Sequence, residues 1–367
     1  MNVDEISRVY QAEGPFVSLY MTTEGATEGA AQRVDLLWKN LRKDLSEQGA
    51  DDASLGAIEE HVPGAHTRGD TLAAIAARGS LLYVGNLPEP PKRDIARVSA
   101  LPYGAPLIEW SQTIVPHVVL VADRRGADIL TFLDWAMEAE TSVDGDDDLP
   151  ITKSAPGGWS QRRYQQRAEN AWDSHAHVVA EKLSRIVDST GARLVVATGD
   201  VRALQLLHGA VPERVASLLK VIEGGSRSPD GSVDMTADLA VKEVATVVAS
   251  DTVALLEKFA EERGQHDRAA DGADATLDAL SRAQVATLLV HDDPNDHRAA
   301  FFGPDAIPVA TEAATLKALG IDDVREGRLV DVAIRAAFGT RAVVRIIPST
   351  GRNAPHDGIG AILRFAT

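Results

Sequence analysis

This sequence predicts an α/β chain, α+β in its multidomain layout. It comprises an N-terminal α+β domain (1–115), a central α/β domain (116–262) and a C-terminal α/β/α sandwich (263–367). Three observations lead to this. The chain has 367 residues, more than one core of ordinary size accommodates. Its content of 44% hydrophobic and 25% charged residues is that of a globular protein rather than a disordered one. From Pro116 onward, short runs rich in Val, Ile and Leu alternate with segments of helical period, the pattern of a layered α/β fold.

The elements follow in order. Phe16-Val-Ser-Leu-Tyr20 reads as a strand. Val34, Leu37, Leu41 and Leu45 recur at helical spacing, with Arg33, Lys39, Arg42 and Lys43 on the other faces. Thr71–Ala76 and Ser80–Val84 flank Arg78-Gly79 as a hairpin, and a strand near Ile95–Val98 follows a stiff proline-rich connection. In the central domain, His117–Ala122, Asp123-Arg-Arg-Gly126 and Ala127–Phe132 read as strand, turn, strand. A long helix spans about 160–188, then a buried-type strand at Arg193–Ala197, and Asp200 caps a helix through Leu207. After a loop at Gly224–Gly231 comes another long helix, about 237–264. The last hundred residues alternate helix (275–283), strand (286–290), helix (312–319), helix (329–337) and strand (342–347).

Charge and composition exclude several classes. The formal net charge of −17 argues against generic DNA binding, so any RNA contact has to be made by local basic patches. There is no cysteine, which removes disulfides, thiolate metal sites and cysteine nucleophiles together. No run approaches the roughly 18 apolar residues of a membrane span, and the N-terminus lacks signal-peptide character. The expected location is the cytoplasm, with no membrane or DNA partner.

One stretch inverts the chemistry around it. Lys153-Ser-Ala-Pro-Gly-Gly-Trp-Ser-Gln-Arg-Arg-Tyr-Gln-Gln-Arg167 follows the acidic run Asp144–Asp148, which reads as a solvated linker. It carries four cations and no carboxylate, with a bendable Pro156-Gly157-Gly158 and the aromatic faces of Trp159 and Tyr164. Planar cations beside π-faces suit RNA. An ordinary Gly-Gly loop before a solvated helix start has the same composition.

Other candidates read as structural. His291-Asp-Asp-Pro-Asn-Asp-His297 has metal-type side chains, yet Pro294-Asn295 after a strand is the signature of a polar turn. His175 and His177 lie two apart on a helix and point to different sides. No Walker lysine, Gly-x-Gly-x-x-Gly or serine elbow follows any strand, so no cofactor, metal or conventional catalytic residue is expected.

The domain order and three motifs together resemble the archaeo-eukaryotic release factor family with its relative Pelota. Within that group the chain resembles the bacterial branch that includes a ribosome hibernation factor. The motifs are Asp123-Arg-Arg-Gly-Ala-Asp128, the loop Gly157–Arg167 heading a long helix, and the ending Asp357-Gly-Ile-Gly-Ala-Ile-Leu-Arg-Phe365. The resemblance implies an RNase H-like central fold and an L7Ae-like C-terminal sandwich. It also implies a translation factor that occupies the ribosomal A site under stress or dormancy. The implied partners are large- and small-subunit rRNA and elongation factor Tu.

Gly157, Gly158, Trp159, Ser160, Gln161, Arg162, Arg163, Tyr164 and Arg167 would then face the peptidyl transferase centre. Arg33, Lys39, Arg42 and Lys43 would face the decoding region; a solvated helix face would show the same four residues. Family members that hydrolyse peptidyl-tRNA carry Gly-Gly-Gln. Here Trp159 follows Gly157-Gly158, and the glutamine comes later, as Gly158-Trp-Ser-Gln161. That spacing resembles the Gly-x-x-Gln loop of peptidyl-tRNA-cleaving relatives. The leading expectation is therefore a non-enzymatic ribosome-binding factor. A peptidyl-tRNA hydrolase using Gln161 is the alternative.

Overall fold

The computed structural model describes residues 3–24, 29–123, 125–134, 137–144, 158–223, 233–265, 267–348, 351 and 353–366. At 3, 158–171 and 233–239 it describes the backbone alone. The chain forms two compact units, one of residues 1–112 with 252–367 and one of residues 113–251. The stretches at the two ends of the chain thus lie in a single unit.

The first part of that unit contains α1 (Val3–Val9), β1 (Phe16–Thr22), α2 (Ala30–Glu47), α3 (Asp52–Glu59), β2 (Thr71–Ala77), β3 (Ser80–Leu87), β4 (Ile95–Ser99) and α4 (Ala105–Ser111). Its antiparallel sheet has the order β3-β2-β1-β4. The two-residue period of a strand divides β1 between two cores. Val17, Leu19 and Met21 pack with Val34, Trp38 and Leu45 of α2. Phe16 and Tyr20 turn to the opposite face, into a cluster that also holds Leu288, Phe302 and Ile334 from the far end of the chain. The alanine-rich β2 behaves alike: Leu72, Ala74 and Ala76 join the first core, Ala73 and Ile75 the second. α3 starts where Asp51 accepts from the Ser54 amide at 2.8 Å.

The second unit contains β5 (His117–Ala122), β6 (Gly126–Phe132), β7 (Met137–Asp144), α5 (Gly158–Thr190), β8 (Leu194–Gly199), α6 (Val201–Ala210), α7 (Glu213–Ala216), β9 (Leu219–Val221) and α8 (Val233–Gln265), whose last turns belong to the first unit. The sheet order is β7-β6-β5-β8-β9, parallel for β5-β8 and β8-β9 and antiparallel for β5-β6 and β6-β7. Both faces are covered, which is why β5 is a continuous apolar run. Val118 and Leu120 pack on Val179, Leu183 and Leu207 of α5 and α6. Val119 packs on Ala240 and Val244 of α8. β7, which neither alternation nor an apolar run in 137–144 predicts, forms the sheet edge; of the acidic run only Asp144 is described. The loop at 224–231 also lies outside the described residues.

The remainder of the first unit contains β10 (Ala269–Asp271), α9 (Ala273–Ser281), β11 (Val285–Val290), β12 (Ala299–Phe302), β13 (Val309–Ala310), α10 (Ala313–Ala318), β14 (Arg325–Arg328), α11 (Leu329–Gly339), β15 (Val343–Ile346) and β16 (Ile359–Leu363). The main sheet runs β10-β16-β11-β15, beside a small sheet β13-β12-β14. One face of the main sheet packs with Leu277 and Leu280 of α9 and Val330 and Ile334 of α11. The other face packs with Leu256 and Phe259 at the end of α8. This is the expected α/β/α sandwich, with the small sheet added.

Candidate functional site

Of the basic stretch, residues 153–157 lie outside the described residues, while Gly158–Arg167 are the opening turns of α5. Trp159, Ser160, Gln161, Arg162, Arg163, Tyr164 and Arg167 are therefore placed by helical backbone. At 3.6 residues per turn, positions 159, 163 and 167 fall on one face of that backbone, and 161 and 164 share another. A helical start also sets the separation of Gln161 from Gly158 at three residues of about 1.5 Å rise each, shorter than an extended loop.

At the carboxyl end of β5, beside its parallel neighbour β8, lies a shallow recess, the position where open α/β sheets hold ligands. Asp123, Trp172, His175 and Arg202 rim it over Val179 and Leu207. Its carboxylates are engaged with the backbone. Asp123 accepts from the amides of Arg125 (2.7 Å) and Gly126 (2.9 Å). The neighbouring Asp200 caps α6 by accepting from the amides of Arg202 (2.9 Å) and Ala203 (3.0 Å).

Two glycines let these turns close. A Cβ on Gly126 would stand 1.8 Å from the Val143 carbonyl oxygen. One on Gly199, at φ +126°, would stand 1.9 Å from that of Ala122. Asp123, Gly126 and Gly199 thus hold a hairpin turn beside the start of α6. His117, on β5, stacks on Phe132 with ring centroids 4.7 Å apart. Burial holds its pKa below the ordinary histidine value, against the Val115 carbonyl, which favours the charged ring.

The four cations of α2 do not form one patch. Val34, Trp38 and Leu45 mark the buried side. Lys39 and Lys43, one turn apart, are exposed on the side away from it, beside the exposed Leu36. Arg33 and Arg42 fall on opposite flanks, about half a turn apart around the axis. Arg42 is half-buried against Glu59 at 3.4 Å, and Glu59 also accepts from the Trp38 indole at 3.3 Å. Lys43 reaches only the exposed Glu47, at 3.6 Å. The face that α2 offers a polyanion is therefore Lys39 with Lys43, while Arg42 serves the packing of α2 on α3.

Among the described residues no group of three or more His, Asp or Glu is placed to hold a metal ion. Asp292 and Asn295 of the 291–297 turn are engaged with protein donors, as described below. His177 engages the Asp173 carbonyl at 2.8 Å, whereas His175 lines the recess, so the two histidines diverge as their spacing predicts. No described helix is long and apolar enough to cross a membrane.

Residues 116–265 match the model of bacterial archaeo-eukaryotic release factor family 2. Two uncharacterized proteins from two strains of Mycobacterium tuberculosis are each 28% identical to the chain over 372 residues, spanning 100% of it and 97% of themselves. Among solved structures, Archaeoglobus fulgidus Pelota is similar at 14% identity and a TM-score of 0.40, over 99% of this chain and 92% of its own. A model of ribosome-bound archaeal Pelota with ABCE1 is similar at 13% identity and a TM-score of 0.42, over 100% and 94%. These overlays are loose.

Proposed function

We propose that this protein is a ribosome-binding factor that fills the A site of idle ribosomes and blocks translation under stress. The observation that carries the reading is Trp159. It follows Gly157-Gly158 at the head of a 33-residue helix, inside the stretch matched by the release factor family model. Release factors place a glutamine at that position to assist water. A bulky indole there has a single N–H donor and no acceptor to orient an attacking water, where a glutamine amide has both. Arg162, Arg163 and Arg167 would clamp phosphates by charge-assisted bonds, and Trp159 and Tyr164 would stack on bases. Lys39 and Lys43 on α2 would meet small-subunit rRNA in the decoding region.

The finer reading is a hibernation factor of the kind called Balon, delivered with elongation factor Tu. The acidic character of the chain, −17 overall, suits contact with a basic surface. Its working place would be the cytoplasm. The test is sedimentation of vacant ribosomes with the protein, followed by challenge with aminoacyl-tRNA. Stable co-sedimentation and loss of A-site tRNA binding are expected. A protein that never sediments with ribosomes contradicts the proposal.

A second reading rests on Gly158-Trp-Ser-Gln161. In a peptidyl-tRNA hydrolase, Gln161 would position the attacking water while Arg162 and Arg163 held the tRNA end.

A further inference from the structure

The turn at 291–297 sits where the two ends of the chain meet. Asp292, 6% exposed, takes two hydrogen bonds: from the Tyr103 hydroxyl at 2.5 Å and from Arg328 Nη1 at 2.6 Å. Arg328 also donates to the Asp293 carbonyl through Nη1 at 3.3 Å, and to Asp331 through Nε at 3.0 Å and Nη2 at 2.8 Å. Two guanidinium groups lie over the Tyr103 ring, Arg97 at 4.7 Å and Arg328 at 4.6 Å from its centroid. Arg97 continues to the Pro294 carbonyl at 3.0 Å, and Arg93 donates to Asn295 Oδ1 at 3.1 Å.

Tyr103 is fixed from its own side as well. Its amide donates to Ser18 Oγ at 3.1 Å, and its carbonyl accepts the Tyr20 hydroxyl at 2.7 Å. Farther along, the Gln112 side-chain amide pairs with edge strand β15, donating to the Ile346 carbonyl at 2.9 Å and accepting its N–H at 2.7 Å. Apolar contacts cross the same seam, including Tyr10 on Phe338 with centroids 5.4 Å apart.

We propose that the 291–297 turn, with Arg328, is a clasp that locks residues 1–112 and 252–367 into one body, so that a load on the α2 face reaches the C-terminal sandwich without an intervening hinge. Four charges, Arg97, Arg328, Asp292 and Asp331, balance inside it. Burial pulls Arg328 down, but Asp331 and Asp292 outweigh that and hold it above the ordinary arginine value. Burial and the Asp292 carboxylate together raise Tyr103. Burial raises the Asp331 carboxyl, and the Arg328 guanidinium against it pulls the other way. Surface ion pairs would loosen with salt; this one is screened little, because its charges are out of water.

Hydrogen exchange of the full-length chain, read peptide by peptide, tests it. Removing one partner of a buried pair leaves the other charge uncompensated. Asp292→Ala should accordingly speed exchange roughly hundredfold or more in β1 and β4 together with β11 and α11, by similar factors, leaving β5 and β8 unchanged. Asp292→Asn, which keeps an acceptor, should recover part of the protection. If Asp292→Ala does not fold, Arg97→Ala and Tyr103→Phe are read on the same peptides, with a smaller but equally paired acceleration. Acceleration confined to residues 291–298, with β1 and β4 at wild-type rates, overturns the proposal. So does loss of protection in one of the two segments alone.

Discussion

Replacing Lys39 and Lys43 of α2 with alanine separates a working RNA face from a solvated one. Both lysines point away from the core residues Val34, Trp38 and Leu45, and Lys43 has only the exposed partner Glu47. An exposed i,i+4 pair contributes about 0.3–0.5 kcal/mol, so the variant should melt close to wild type. Each phosphate contact adds about 0.7–0.9 to the slope of log affinity against log salt. Losing two lowers the slope by about 1.4–1.8. Across a fourfold rise in salt, wild type should therefore lose about tenfold more ribosome affinity than the variant.

The assay is ribosome binding titrated over that salt range, with thermal melting alongside. Arg42→Ala provides the contrast. It disturbs the half-buried contact with Glu59, so it should lower the melting temperature while leaving the salt slope near wild type. An unchanged slope in the Lys39/Lys43 variant would refute the assignment of this face to RNA. A slope change in Arg42→Ala equal to that of the lysine pair would refute the division between them.

Other outcomes follow from the central unit. Gly199→Ala should cost at least about 3 kcal/mol, the upper end for backbone strain alone, because its Cβ must also displace the Ala122 carbonyl oxygen 1.9 Å away; denaturant unfolding of the variant measures this. His117 has a depressed pKa when folded. The unfolded chain thus binds more protons between that value and about 6.5, and stability rises with pH there. This contribution is present above pH ~6.5 and fades as pH falls through that window. His117→Phe should flatten the dependence, read from unfolding curves at several pH values. Arg162→Glu with Arg163→Glu should weaken ribosome binding and reduce its salt dependence, while melting of the β5–β8 core stays at wild type.

Elements with a strong period were legible in the sequence. α2 and the second half of α5 show their apolar stripes, and β5 shows the continuous run of a strand covered on both faces. Asp200 was readable as a cap because its side chain acts two and three residues away. β7 was not legible: Met137–Asp144 is exposed almost throughout, so neither alternation nor an apolar run marks it, and it is a strand because β6 pairs with it. α3 has only eight residues, one of them glycine.

The union of the chain's ends was hidden for another reason. Tyr103 and Asp292 are 189 residues apart, and a polar turn looks the same in sequence whether it faces water or a buried arginine. At the candidate site, the even distribution of four cations along α2 concealed that only two share the outward face. Arg42 reads as a surface charge until Glu59 is seen beside it.

If Trp159 after Gly157-Gly158 makes this a protein that occupies the ribosome rather than one that hydrolyses its substrate, as we propose, a bound peptidyl ester survives its arrival. The decisive measurement incubates the protein with ribosomes carrying labelled peptidyl-tRNA in the P site and then sediments them. Protein in the ribosomal pellet with the peptidyl ester intact is expected. Peptide released into the supernatant, and no longer released by Gln161→Ala, would contradict it.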